Sequence, residues 1–210
     1  MNKELQEKGF VVVRNFFNEK NCADVYAYLQ WMRDSGFRYS DHMCPNSLSF
    51  PDTPLLDEYM EFYQHDVEEV VHQPVIPTYS YARLYAHGDD LKMHQDRPAC
   101  EISVTICLKK TENWYFYVFK PSKEDQENHV VRDSAKVAVE LEEGDALVYL
   151  GTEVVHWREK YAGKEHAQAF FHYVLEEGKH SALQFDGRPY LSHKNPMGYQ
   201  PRITLLPPNQ

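Results

Sequence analysis

The spacing of apolar residues changes once along the chain, near residue 75, and the change divides it into two parts of different predicted structure. Ahead of it the spacing is mostly helical. GFVVVRNFF, residues 9–17, is a β-branched run and predicts one strand. Asn18 or Asn21 can then cap a helix over about Lys20 to Arg33, in which Val25, Tyr28, Leu29 and Met32 recur at helical intervals. A polar, proline-containing stretch follows, from Asp41 to Pro54. Pro54 to Val71 predicts a second helix, with Leu55, Tyr59, Phe62 and Val70 on one face.

From Ile76 onward the period is two. The predicted strands are Tyr79–Ala86 (YSYARLYA), Glu101–Leu108 (EISVTICL), Trp114–Lys120 (WYFYVFK), Ala135–Leu141, Ala146–Leu150 after a Gly144-Asp145 turn, and Ala167–Leu175. Short strands separated by turn signals, with no helical pattern between them, predict a closed β structure, a sandwich or a barrel. They disfavour a parallel βαβ sheet. The charged run Lys120 to Glu127 reads as a solvated loop. The expected fold class is therefore mainly β with N-terminal helices, one domain over 1–210. Residues 1–75 would support the barrel, 76–176 would form it, and 177–210 would be an extension that wraps the surface or covers one barrel mouth.

Composition narrows the function classes. Hydrophobic residues at 42% and charged residues at 26% are ordinary for a globular chain and exclude a disordered body. Fifteen Tyr, eleven Phe and three Trp can line a cavity with rings. The net charge of −10, with no cluster of Lys and Arg, argues against nucleic acid as partner. No apolar run approaches the roughly 18–20 residues that span a bilayer. The start, MNKELQEKGF, lacks the apolar segment of a signal peptide. A cytoplasmic location without a membrane partner is expected. Cys22, Cys44, Cys100 and Cys107 form no C-x-x-C pair and are expected as reduced thiols packed like small apolar residues.

Two of the eleven histidines open an H-x-D tripeptide. His87-Gly88-Asp89-Asp90 has the composition of a turn and reads as a solvated loop. His94-Gln95-Asp96 stands just before EISVTICL, and in extended chain residues i and i+2 point to the same side. Both side chains can then converge on one metal from the rim of a sheet. A third ligand should come from a distant strand. His156 fits, following the turn and buried strand EGDALVYL at 143–150. Two histidines and one carboxylate on one face of an octahedron form the facial triad of non-heme Fe(II) oxygenases, which leaves positions open for substrate and O2.

These residues carry a resemblance. GFVVVRNFF with its following helix, YARLYAHGDDLKMHQD, EISVTICL, LEEGDALVYLGTEVVH and AQAFFHYV together resemble the Fe(II)- and 2-oxoglutarate-dependent dioxygenase superfamily, near its prolyl-4-hydroxylase-like branch. The match covers most of residues 9–175. Its order and spacing are specific; each piece alone is weak. The resemblance implies a double-stranded β-helix, a jelly-roll, cupin-like barrel. It implies Fe(II), 2-oxoglutarate as co-substrate and O2, with succinate, CO2 and an oxidised product. The primary substrate would be a small molecule, an amino acid or a peptide, a prolyl residue included. Halogenating relatives lack the ligand carboxylate, and Asp96 is present here.

One position departs from the pattern. That branch carries Arg or Lys about ten residues past the distal histidine, where it pairs with the far carboxylate of 2-oxoglutarate. Here that position is His166. A buried carboxylate needs a partner. Arg83 is favoured, because Tyr79, Tyr81, Arg83 and Tyr85 share one face of a strand whose other face is small or apolar. Lys164, alongside His166 and Gln168, is the next choice, and Arg158 the third. Tyr85 matches the family's tyrosine before the glycine turn and is a candidate donor to 2-oxoglutarate. Arg97, Tyr81, Arg158 and Trp157 are candidates for contact with substrate or for orienting the ligands. The competing readings are a Zn- or Ni-binding enzyme of cupin type and a non-catalytic barrel that binds a ligand or partner.

Overall fold

Helices cluster in the first third of the chain and strands in the remainder. The order is α1 (Lys3–Lys8), β1 (Phe10–Val13), α2 (Glu19–Asp34), β2 (Leu48–Pro51), α3 (Pro54–Phe62), α4 (Gln64–Val71), β3 (Val75–Ala86), β4 (Leu91–His94), β5 (Ile102–Lys110), β6 (Phe116–Phe119), α5 (Lys123–Asn128), β7 (Val137–Val139), β8 (Ala146–Leu150), β9 (Val155–Arg158) and β10 (Glu165–Leu175). This is a computed structural model, and it describes residues 1–37, 39–128, 132 and 135–198.

The strands form two antiparallel sheets. One has six strands in the order β1-β8-β5-β10-β3-β2, the other four in the order β4-β9-β6-β7. Period two sorts the side chains of the larger sheet. Val104 and Ile106 of β5, Val148 of β8 and Ala169 and Phe171 of β10 pack under the helices with Val25, Leu29, Leu56, Met60 and Val67. Their neighbours, Cys107, Leu147 and Tyr149, point the other way and meet Leu91, Phe116 and Val118 of the smaller sheet. The result is helices, large sheet and small sheet, with the second core between the sheets. The polar residues of β5 and β10 also point into that inner layer, and the site is built there.

Several boundaries differ from the sequence reading. The first strand stops at Val13: Asp145 accepts from Asn15 N and pairs with Arg14, Asn15 takes φ 52°, and Phe16 and Phe17 turn into the helix-side core. Asn18, not Asn21, caps α2, its side chain accepting from Asn21 N at 2.8 Å. The predicted helix 54–71 is two helices broken at Tyr63, and its buried face is Leu56, Met60, Val67 and Val71. Leu55 and Tyr59 are only half-buried and Phe62 is exposed. Apolar residues recur at helical spacing on both sides of this segment, so spacing alone could not choose the face. The run expected as a solvated loop holds α5, with Asp125 accepting from Ser122 N and Oγ.

Residues 177–198 lie across α3 and the start of β3. Arg188 pairs with Asp52 at 3.0 Å and with the fully buried Asp57 at 3.4 Å, while His193 and Lys194 pair with Glu61. The remainder of the expected extension, 199–210, lies outside the described residues. No described helix is long and apolar enough to cross a membrane. All four cysteines are buried free thiols.

Candidate metal centre and its cavity

β4 and β9 are four-residue strands that pair so that His94 and His156 are direct cross-strand partners. Asp96 follows β4 by two residues, and its backbone N–H donates to Gly151 O at 2.9 Å. Gln95 donates to Glu153 O at 3.1 Å. The rim that carries the H-x-D is thus stitched to the turn that precedes β9. The Nε2 atoms of His94 and His156 each lie 3.5 Å from the same oxygen, Asp96 Oδ1. Neighbouring ligands about 2.1 Å from one octahedral metal stand about 3 Å apart, so this cluster is close to the needed span.

The opposite nitrogens are held by backbone carbonyls. His94 Nδ1 is 2.8 Å from Lys92 O, and His156 Nδ1 is 3.3 Å from Val154 O. Each Nδ1 is thereby turned away from the cluster and each Nε2 toward Asp96. Ser103 donates to the other carboxylate oxygen at 2.8 Å and also lies 3.0 Å from His172 Nδ1. Burial would push the Asp96 carboxyl up, but His156 and His94 beside it hold it well below the usual carboxylate range. Gly151 makes the approach sterically feasible. A Cβ there would sit 2.2 Å from Cys100 O and 2.5 Å from Asp96 Oδ2.

The three residues stand on the wall of a cavity of about 460 Å³, a size that suits a small ligand. Tyr79, Tyr81 and Arg83 line it from β3, and Phe170 lines it from β10. The odd-numbered face of β3 therefore points inward, as its alternation suggested. Arg83 already has a counter-charge: it pairs with Asp41 at 2.6 Å and contacts Ser47 at 3.3 Å. Arg97 lies at the cavity with its guanidinium 4.5 Å from the Tyr79 ring, and it clasps Asp186 of the C-terminal extension at 2.6 and 2.7 Å. It orients Asp186, not Asp96.

Deeper in the inner layer lie Tyr85, Gln168 and His166, all buried. Burial, with Arg158 nearby, pushes the imidazole of His166 well below its ordinary value. Arg158 follows His156 by two residues on the same inward face. It donates to Trp114 O at 2.6 Å and Gln168 Oε1 at 2.8 Å. Two of the sequence candidates do not reach this layer. Lys164 precedes β10 with an exposed side chain, and its backbone N–H donates to Thr111 Oγ1 at 2.8 Å. Trp157 points to the outer face of β9, stacked on Tyr117 at 5.4 Å, because alternation that turns His156 and Arg158 inward turns it outward. His87 is exposed beside Ala162 O, as its loop composition suggested, although Asp89 is buried and accepts from Ala86 N.

Ser103, His172 and Gly151 were not anticipated. A signal was present for the first two: polar residues recurring every second position within apolar strands, Ser103-Thr105 in β5 and His166-Gln168-His172 in β10. Gly151 carried none, since its need arises only when Asp96 and Cys100 are brought against it.

No protein-family model matches the chain, and no curated protein sequence does. Solved structures do. A Pseudomonas putida prolyl-4-hydroxylase matches with a TM-score of 0.61 at 15% identity, over 81% of this chain and 94% of that one. HygX from Streptomyces hygroscopicus, with nickel, 2-oxoglutarate and hygromycin B bound, matches with a TM-score of 0.63 at 17% identity, over 84% and 88%. AviO1 from Streptomyces viridochromogenes matches with a TM-score of 0.68 at 18% identity, over 84% and 94%. The chain shares its fold with these proteins.

Proposed function

We propose that the chain is an Fe(II)- and 2-oxoglutarate-dependent dioxygenase that hydroxylates an unactivated C–H bond of a small molecule, amino acid or peptidyl residue. The observation that carries the reading is the convergence of His94 Nε2 and His156 Nε2 on one Asp96 oxygen at a cavity wall. The two antiparallel sheets, read as a double-stranded β-helix, support it. So does a fold shared with HygX, whose structure holds nickel and 2-oxoglutarate, and with a prolyl-4-hydroxylase.

The residues fit the group. Two imidazoles with outward Nδ1 atoms and one carboxylate supply a mixed nitrogen and oxygen donor set that suits iron. Within the inner layer Tyr85 OH, Arg83 Nε and His166 Nδ1 are buried without a hydrogen-bond partner, which is what a bound polar ligand would leave behind when removed. Iron with 2-oxoglutarate, when bound, supplies the activation of O2 and the two reducing electrons, with succinate and CO2 as products. His94, Asp96 and His156 would hold the metal. Ser103 fixes the Asp96 carboxylate by donating to the oxygen that the histidines leave free. Tyr81, Phe116 and Phe170 line the cavity and would keep water from the reacting carbon, while Arg97 at the cavity would meet polar groups of the substrate.

The test is to supply purified protein with Fe(II), 2-oxoglutarate and O2 against candidate substrates. Succinate, CO2 and a hydroxylated product should appear with one 2-oxoglutarate used per O2. A barrel that holds Zn or Ni, or only a ligand, forms no succinate. Hydrolysis or isomerisation under anaerobic conditions without 2-oxoglutarate would overturn the reading.

A further inference from the structure

Arg158 is buried, 3% exposed, and among the described residues no carboxylate pairs with it. The other arginines of the site differ: Arg83 has Asp41 and Arg97 has Asp186. Arg158 has only neutral acceptors, Trp114 O and Gln168 Oε1, and its guanidinium lies 4.6 Å from the Trp114 ring and 5.1 Å from the Phe116 ring. Removing a charge from water without an opposite charge is expensive, and ring faces and two carbonyls recover only part of that cost.

Two other buried groups converge on the same place. Tyr85 and His166 are cross-strand partners of β3 and β10, and both rings pack edge-on against Trp114, at 4.9 and 5.3 Å. Neither Tyr85 OH nor His166 Nδ1 has a hydrogen-bond partner among the described residues. Gln168 sets the imidazole's orientation. Its Nε2 donates to Thr105 Oγ1, so its Oε1 receives Arg158 on one side and His166 Nε2–H on the other, at 3.1 Å. With Nε2–H given to Gln168 the imidazole keeps Nδ1 as an acceptor, so the unmet donors are the Arg158 guanidinium and Tyr85 OH, and they call for one negative charge with oxygen acceptors, which a carboxylate supplies.

The cluster adjoins the metal centre. Phe116, whose ring the guanidinium covers, stacks on His156 at 5.3 Å, and Arg158 and His156 share one face of β9. We infer that Arg158, together with Tyr85, holds the distal carboxylate of the keto-acid co-substrate. The cation comes from β9, two residues past His156, and not from the position ten residues past it on β10, where His166 stands. Arg83, whose charge Asp41 already matches, is not the anchor. The inference rests on the dioxygenase reading, and its test separates the two.

The experiment is calorimetry on Ni(II)-loaded protein with two keto acids: 2-oxoglutarate, and 2-oxopentanoate, which has the same chain with a methyl group in place of the distal carboxylate. Wild-type protein should prefer 2-oxoglutarate by about 30-fold or more, the span expected for one buried charged hydrogen-bonded pair. Arg158→Gln should bring that preference close to one while Ni(II) and 2-oxopentanoate affinities stay unchanged. Arg83→Gln should keep the preference. Should Arg158→Gln fail to fold, Arg158→Lys, which keeps charge but not the fork, should retain only part of it. A preference that survives in the Arg158 variants, or that is lost only in Arg83→Gln, overturns the anchor and leaves the dioxygenase reading standing. A Ni(II)-loaded wild type that binds neither acid overturns both.

Discussion

His94 and His156 face each other across the β4–β9 pair of the smaller sheet with ring centroids 4.2 Å apart. Each is planted on a four-residue strand, and each aims Nε2 at the same Asp96 oxygen. On the proposed reading neither can be replaced. His94→Ala and His156→Ala should each reduce metal affinity by more than the roughly 10–100-fold that loss of an outer hydrogen-bonding partner costs, with the circular dichroism of the fold retained. His87→Ala should be silent in metal titration, since His87 is exposed and bound only to Ala162 O.

Ser103 is such an outer partner. Ser103→Ala removes the hydroxyl that donates to Asp96 Oδ2. Metal affinity measured by titration should fall by roughly 10–100-fold, and the metal-free protein should lose about 1–3 kcal/mol of stability, because Asp96 Oδ2 is left without its donor.

Gly151→Ala tests the close approach. The added methyl meets Cys100 O and Asp96 Oδ2, and backbone there cannot swing aside. The melting transition should show a loss of about 1–3 kcal/mol, as for other overpacked sites, and metal binding should weaken with it. An unchanged melting temperature would show that the turn has room to move.

His166 gives a pH dependence with a defined sign. Burial, then the charge of Arg158, holds its folded value well below the ordinary 6.5. The unfolded chain therefore binds the proton first on acidification. This contribution to stability is complete above about pH 6.5 and is lost as pH falls below it, with a slope of at most about 1.4 kcal/mol per pH unit. In metal-free protein, His166→Gln should flatten the stability curve between about pH 6.5 and 5. An unaltered slope would mean that His166 is protonated in the fold.

What the sequence disclosed depended on how much apolar surface each element buries. α2, with Cys22, Val25, Leu29 and Met32 buried, and β8, buried throughout, were legible because their pattern is their packing. α1 buries only Leu5, and β4 buries only Leu91, so neither leaves a periodic trace. β9 is short for the same reason and was found only through its histidine. The convergence of His94, Asp96 and His156 was legible because an H-x-D and a distant histidine on a returning strand have a fixed geometric meaning. The cation was not. The alternation of β3 put Arg83 on the inward face, but that pattern cannot reveal Asp41 arriving from a loop to pair with it, nor that Arg158 is buried with no carboxylate partner among the described residues.

The central claim is tested most directly by anaerobic titration. Protein is mixed with one equivalent of Fe(II), then with 2-oxoglutarate, and the visible spectrum is followed. A new charge-transfer absorption should grow to an end point at one 2-oxoglutarate per iron, and should be absent from His156→Ala and from Asp96→Ala. A wild-type protein that holds no Fe(II), or that holds it and gives no band with 2-oxoglutarate, would contradict the assignment of His94, Asp96 and His156 as an oxygenase iron site.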